Sequence, residues 1–347
     1  MTISERLKSA AFKLRRNPGY LVIAALVAGA IAWPLLTSER GPSYSRTFLP
    51  VDESTALVWQ RTIPWVLANP ALDAKCVYYY DSAKDALVAL NVADGGLLWE
   101  TSGRPAIYGI RGIATDGQRV YVINATHVAA YSPTTGDLIW SRELGHGHVR
   151  VQLAIDHPTM LRVYYGETIF ELSRETGEIE KKAPLDETLW IAGDVTVRTE
   201  PPGLAATTST ALTPLWRSYV VPFGVAEHLP PLHLFPHLLV QIFRPKTICA
   251  LDLRDGQYQW CTPLAYSSNM IQGPSGMDAY VLNDEWNLIS LAVATGDSRA
   301  IASFPAPETA ELDPQRGYTY GLRMYADAVL VYLGDTSQLF LLHSETS

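Results

Sequence analysis

An internal repeat of about 40 residues constrains the fold of this 347-residue chain more than any other feature. Five eleven-residue stretches, which begin at residues 89, 130, 171, 250 and 290, align in spacing and residue type. Each has glycine at its seventh position: Gly95, Gly136, Gly177, Gly256 and Gly296. Apolar residues flank these turns, and glycine adopts a positive φ without a steric clash, so each stretch predicts a tight β-hairpin.

Tryptophans follow the same period. Three of the stretches end in tryptophan, and two further tryptophans fall where the repeat predicts an equivalent position. Together they are Trp59, Trp99, Trp140, Trp216 and Trp260. The other two stretches have Lys181 and Ala300 at this place. We interpret the tryptophans as residues that pack one repeat against the next, and not as binding residues.

A period near 40 with about four short strands per unit predicts an all-β, seven-bladed β-propeller of four-stranded blades. The chain ends after three strands of a unit, within residues 318–343, and begins its repeats with an unpaired strand at 55–62. We therefore expect residues 55–62 to complete the last blade and close the ring, which removes two exposed sheet edges.

The pattern A-x-[NSD]-x-x-x-G-x-x-x-W resembles the tryptophan-docking repeat of the quinoprotein (PQQ-like) β-propellers, and it covers residues 55–347. In enzymes of that family the resemblance would imply PQQ, a Ca²⁺ site, a catalytic aspartate and a vicinal cysteine pair. This sequence has no Cys-Cys pair, no acidic cluster with Ca²⁺-ligand spacing and fewer predicted blades than the usual eight. The non-catalytic, BamB-like type is the better match, with no cofactor and no metal.

The segment from Tyr20 to Leu36 contains no charged residue and is close to the length that a bilayer-spanning helix needs. Five basic residues precede it, so the positive-inside rule places the N-terminus in the cytoplasm. We predict a cytoplasmic flank at 1–19, a transmembrane signal anchor at 20–37, a linker at 38–54 and a propeller at 55–347. Cleavage of a signal peptide after Ala32 is the alternative. In either case the propeller is extracytoplasmic.

The chain carries a net charge of −8, and residues 41–347 alone carry −12, so general nucleic-acid binding is excluded. Cys249 and Cys261 are equidistant from the turn at Asp255 and are expected to face one another across a hairpin. They form a disulfide or remain buried thiols, and Cys76 has no evident partner.

Long links from each outer strand to the next inner strand define the face on which we expect function. The longest runs from Tyr219 to His237 and is either a partner-binding loop or a plug over a degraded repeat. Its candidate contact residues are Pro222, Phe223, His228, Pro230, Pro231, His233 and Phe235. Arg111, Gln152 and Gln272 recur twelve residues after the tryptophan position and are expected at the mouth of a central channel, facing water or a polar ligand.

These features predict a membrane-anchored, extracytoplasmic scaffold that binds proteins in or at the membrane, as a subunit or assembly factor of a complex. A PQQ- or metal-dependent oxidoreductase, or a sugar-binding sensor that uses the channel mouth, is the alternative.

Overall fold

The computed structural model consists of β-strands and turns. It describes residues 45–64, 68–101, 110–145, 151–155, 159–166, 168–184, 189–192, 195–200, 203–208, 215–218, 232–234, 237–243, 246–252, 254–264, 270–273, 275–305, 320–334 and 336–344. None of these residues belongs to a helix long and apolar enough to cross a membrane. The predicted flank and anchor, residues 1–37, lie outside them.

The strands of the described residues form seven antiparallel sheets, numbered here in chain order. Two strands come first and join the last two sheets: the two-residue β1 (Leu49–Pro50) and the eight-residue β2 (Thr55–Thr62). Sheet 1 contains β3 (Ala71–Leu72), β4 (Cys76–Asp81), β5 (Ala86–Asn91) and β6 (Leu97–Thr101). Sheet 2 contains β7 (Gly112–Thr115), β8 (Val120–Ile123), β9 (His127–Tyr131) and β10 (Leu138–Glu143).

The middle sheets repeat this order. Sheet 3 contains β11 (Val151–Ala154), β12 (Met160–Tyr165), β13 (Thr168–Ser173) and β14 (Ile179–Pro184). Sheet 4 contains β15 (Leu189–Ala192), β16 (Val195–Glu200), β17 (Gly203–Thr208) and β18 (Trp216–Ser218). Sheet 5 contains β19 (Leu232–Leu234), β20 (His237–Phe243), β21 (Lys246–Asp252) and β22 (Tyr258–Pro263).

The last two sheets each recruit a strand from the start of the chain. Sheet 6 contains β23 (Ile271–Gln272), β24 (Asp278–Leu282), β25 (Asn287–Ala292) and β26 (Ser298–Ser303), and β1 pairs with β26. Sheet 7 contains β27 (Tyr320–Tyr325), β28 (Ala328–Leu333) and β29 (Gln338–Ser344), and β2 pairs with β29 from Thr55 to Thr62. The predicted pairing of 55–62 with the last repeat is therefore confirmed.

The core lies between neighbouring sheets and not in one central mass. Separate buried apolar clusters join sheets 7 and 1, 1 and 2, 2 and 3, 5 and 6, and 6 and 7. The first strands of successive sheets also lie side by side, as β3 does with β7 and with β27. Each of these six sheets is thus stabilised by its neighbours, because burying one leucine or valine side chain contributes about 1.5–3 kcal/mol.

Aspartates shape the first turns of sheets 1 and 2. The Asp73 carboxylate accepts the amide N–H of Lys75 (2.9 Å) and of Cys76 (2.9 Å) and the hydroxyl of Tyr78 (2.9 Å). Asp116 makes the same bonds to residues 118, 119 and 121. Such a side chain replaces backbone partners that the turn lacks. Burial, together with the neighbouring aspartate, raises the pKa of the Tyr78 hydroxyl.

Candidate functional site

Five tryptophans bridge neighbouring sheets in one repeated geometry. The ring of Trp99 in sheet 1 lies on Gly136 of sheet 2, and its indole N–H donates to the carbonyl of Pro133 (2.9 Å). Gly136 has a φ of +71°, and a Cβ atom there would lie 2.6 Å from the ring, so only glycine fits. The other pairs are Trp59 with Gly95, Trp140 with Gly177, Trp216 with Gly256 and Trp260 with Gly296.

A β-bulge precedes the tryptophan in the outer strand. In sheet 1, Leu97 pairs with Leu90 and Trp99 pairs with Ala89, so Leu98 is left unpaired between them. The same shift leaves Ile139, Val58, Glu180 and Gln259 unpaired in sheets 2, 7, 3 and 5. A bulge re-aims the side chains beside it. In each of these five sheets the residue directly after the bulge is a tryptophan, except in sheet 3, where it is Lys181.

The residues at the bulges are exposed to solvent, and they are apolar in some sheets and polar in others. Val58, Leu98 and Ile139 are 44%, 50% and 46% exposed and lie on sheets 7, 1 and 2, which are consecutive. Glu180 and Gln259 are exposed polar residues at the same position. Val58, Leu98 and Ile139 form what we call the outer-strand patch. The sequence signal for this patch is the apolar residue that directly precedes each of the three tryptophans.

Sheet 6 departs from this pattern. Its outer strand has Ala300 at the tryptophan position, and its unpaired residue is Ile301. The Ile301 carbonyl accepts the amide N–H of Val51 (3.1 Å) and of Asp52 (3.2 Å), next to the paired strand β1. The outer edge of sheet 6 is therefore covered by the chain itself.

Arg46 fixes this covering segment between sheets 6 and 7. It is 1% exposed, and its Nη1 donates to the Phe304 carbonyl (2.8 Å) while the guanidinium lies 3.9 Å from the Trp286 ring centroid. Its amide N–H donates to Oε1 of Gln338 (2.7 Å). The predicted linker, 38–54, thus needs a correction. From residue 45 onward the chain packs on the sheets, because a buried arginine, and not repeat spacing, positions it.

The three predicted channel-mouth residues lie at corresponding places in sheets 2, 3 and 6. Arg111 directly precedes β7, Gln152 is the second residue of β11, and Gln272 ends β23. The side chains of Arg111 and Gln272 are exposed. All three therefore belong to the first strands of their sheets or flank them, and their place at the mouth of a central channel stays a prediction.

The predicted partner-binding loop lies mostly outside the described residues. Pro222, Phe223, His228, Pro230, Pro231 and Phe235 fall there. His233 is in strand β19 and pairs with Leu238. The prediction of one continuous loop from residue 219 to 237 is therefore wrong at 232–234. The sequence pattern did not predict the first strand of sheet 5, because that strand has only three residues (L-H-L) and directly follows two prolines.

Cys249 and Cys261 pair directly across β21 and β22 and form a disulfide, with Cα atoms 4.1 Å apart. Cys76 is a buried free cysteine, and burial raises the pKa of its thiol. Within the described ranges, no group of three or more histidine, cysteine or acidic residues is arranged to hold a metal ion.

Repeated sheets, joined by tryptophans that dock on glycines, define the chain as a β-propeller. Residues 42–170 and 125–342 match the family model described as outer membrane protein assembly factor BamB. The chain therefore belongs to this family of PQQ-like repeat β-propellers.

Solved structures share the fold at low sequence identity. BamB from Moraxella catarrhalis superposes with a TM-score of 0.52 at 12% identity, covering 86% of this chain and 99% of that one. KlHsv2 with loop 6CD replaced by a Gly-Ser linker gives a TM-score of 0.50 at 10% identity, covering 78% and 89%. No curated protein matches the chain in sequence.

Proposed function

We propose that this chain is a non-catalytic scaffold, held at a membrane, whose propeller binds a partner protein in an assembly complex. Membership of a family described as an assembly factor for outer membrane proteins supports this class of function. The lack of a vicinal cysteine pair in the sequence also favours a scaffold over a quinone enzyme. We further propose that the seven sheets are the seven blades of one closed ring.

The outer-strand patch is the observation that carries the proposal. Its apolar side chains project from bulges on three consecutive sheets, and the packing between the sheets does not need them. Large apolar side chains that are exposed on neighbouring elements, and that the fold does not need, are the kind of residue that a protein partner buries. Glu180 occupies the same bulge in sheet 3, so the fold itself accepts a charged residue at this position.

Glutamate substitutions test the patch. We expect Leu98→Glu and Ile139→Glu to fold normally and to lose the partner that co-purifies with wild-type protein from solubilised membranes. Gln259→Glu, at the equivalent bulge of sheet 5, is the matched control and should retain it. The proposal fails if both patch variants recover the partner as well as the control does.

We also propose that residues 20–37 anchor the propeller. The uncharged segment and the basic residues before it support this placement. Full-length protein should remain in the membrane pellet after alkaline carbonate extraction and should keep residue 1. A mature N-terminus at Trp33 would instead establish signal-peptide cleavage.

A further inference from the structure

A polar cleft of about 440 Å³ lies between sheets 2 and 3, at the end of the sheets that carries the glycine turns. Its volume falls in the range of small-ligand sites, roughly 300–1,000 Å³. Arg119 and Asp116 line it from the first turn of sheet 2, and Ser173, Arg174 and Glu175 line it from the last turn of sheet 3. The scaffold proposal uses none of these residues.

The Asp116 carboxylate is already occupied. It accepts the amide N–H groups of Gln118 (2.9 Å) and Arg119 (2.7 Å), the hydroxyl of Tyr121 (2.9 Å) and Nη1 of Arg174 (3.4 Å). Arg174 is held in turn, because its Nε donates to the Met160 carbonyl (3.1 Å). Asp116 therefore balances the charge of Arg174 and offers no further acceptor.

Arg119 is the unbalanced group of the cleft. Within the described part of the chain its guanidinium forms no ion pair, and its Nε is shielded from solvent without a hydrogen-bond partner. Both arginines act electrostatically to lower the pKa of Tyr121, although burial and Asp116 raise that pKa overall. Both guanidiniums therefore lie within electrostatic range of the Tyr121 hydroxyl, and, among the described residues, Arg119 is the one without an acidic partner.

A second donor lines the same cleft as Arg119. The Ser173 hydroxyl oxygen accepts the amide N–H of Thr176 (3.4 Å), which leaves its own proton for an acceptor in the cleft. An unpaired guanidinium and a hydroxyl group suit an anionic oxygen ligand. The acids of the lining, Asp116 and Glu175, formally cancel the two arginines. A singly charged carboxylate therefore fits better than a dianion such as phosphate.

We propose that this cleft binds a carboxylate group through the terminal guanidinium nitrogens of Arg119 and the hydroxyl of Ser173. The carboxylate belongs either to a small acid or to an acidic side chain of a peptide. The inference does not depend on the scaffold proposal, because it rests on the cleft alone, and either proposal can fail while the other stands.

Arginine side-chain NMR tests it with the wild-type chain. Full-length protein labelled with ¹⁵N-arginine, in detergent micelles, is titrated with propionate and separately with Ac-Gly-Glu-Gly-NH₂. Propionamide and Ac-Gly-Gln-Gly-NH₂ are the uncharged controls. The Arg119 Nε–H resonance, assigned from an Arg119→Lys spectrum, should shift saturably with a carboxylate probe and not with its amide. The resonance of Arg254, an exposed arginine already paired with Asp252, should stay in place.

Two variants give opposite expected changes. Arg119→Gln should weaken binding about tenfold or more, because a charge-assisted hydrogen bond is lost, and Arg174 then serves as the reporter. Glu175→Gln should strengthen binding about twofold, because it removes a negative charge that repels the carboxylate ligand from the cleft. A response to propionate indicates a small acid as ligand, and a response to the peptide alone indicates a protein partner. If neither carboxylate shifts Arg119 more than its amide control, the proposal is wrong.

Discussion

Replacing Gly136 by alanine isolates the contact that joins one sheet to the next. The new Cβ would lie 2.6 Å from the Trp99 ring, and the residue would have to keep a φ of +71°. Gly117, also in sheet 2, provides the matched control. Its φ is +77°, but no atom lies within 4 Å of a Cβ placed there. The two substitutions share the backbone strain and differ only in the tryptophan contact.

The structure gives the expected magnitudes. Left-handed backbone costs an alanine about 1–2 kcal/mol, and this is the whole expected loss of unfolding free energy for Gly117→Ala. Overpacking against the partly buried Trp99 ring adds about 1–3 kcal/mol, so Gly136→Ala should lose about 2–5 kcal/mol in total. In a Trp99→Ala background the ring is absent, and Gly136→Ala should then cost no more than Gly117→Ala.

Chemical denaturation followed by far-UV circular dichroism measures these differences without relying on tryptophan emission. Five proteins are needed: wild type, Gly117→Ala, Gly136→Ala, Trp99→Ala and the Trp99→Ala, Gly136→Ala double variant, and all but Gly117→Ala form a double-mutant cycle. Equal midpoints for Gly136→Ala and Gly117→Ala would refute the docking account. So would additive losses in the double variant, because they would show that Gly136 does not sense the ring.

Two further outcomes follow from buried polar groups. Arg46→Ala should lower the free energy of unfolding by about 2–4 kcal/mol, because a charged hydrogen bond and a cation–π contact are lost. The control Arg299→Ala breaks a largely exposed ion pair with Asp52 and should lower it by under about 1 kcal/mol. Equal losses in a denaturant titration would contradict the packing of residue 46. Burial raises the pKa of Tyr121 above its ordinary value of 10.0, so its contribution is complete below pH 10 and is lost as pH rises further, because only the unfolded state releases the proton there. Tyr121→Phe should therefore flatten the decline of stability between pH 9 and 11, and an unchanged slope would exclude this cause.

Much of the architecture is readable from the sequence because the repeat encodes it twice, in spacing and in residue type. Gly136 adopts a positive φ in a tight turn, and the tryptophans at 59, 99 and 140 recur at intervals of 40 and 41 residues. Pairing of β2 with β29 also follows from the repeat, since one end has an extra strand and the other lacks one.

Other features depend on tertiary contacts that the repeat does not specify. Strand β1 is two residues long, and the burial of Arg46 depends on Phe304 and Gln338, which lie more than 250 residues away. The bulge at Leu98 is invisible to an alternation pattern because it adds one residue to a strand. The cleft at Arg119 requires two sheets to meet, and neither turn alone signals it.

Site-specific photocrosslinking in intact cells tests the scaffold account most directly. A photoreactive phenylalanine analogue is placed at position 98, on the outer-strand patch, and separately at position 259, on the polar bulge of sheet 5. We expect a discrete crosslinked protein at position 98 and none at 259. A full-length, membrane-retained chain that crosslinks to no protein from position 98, or equally from both positions, would contradict it.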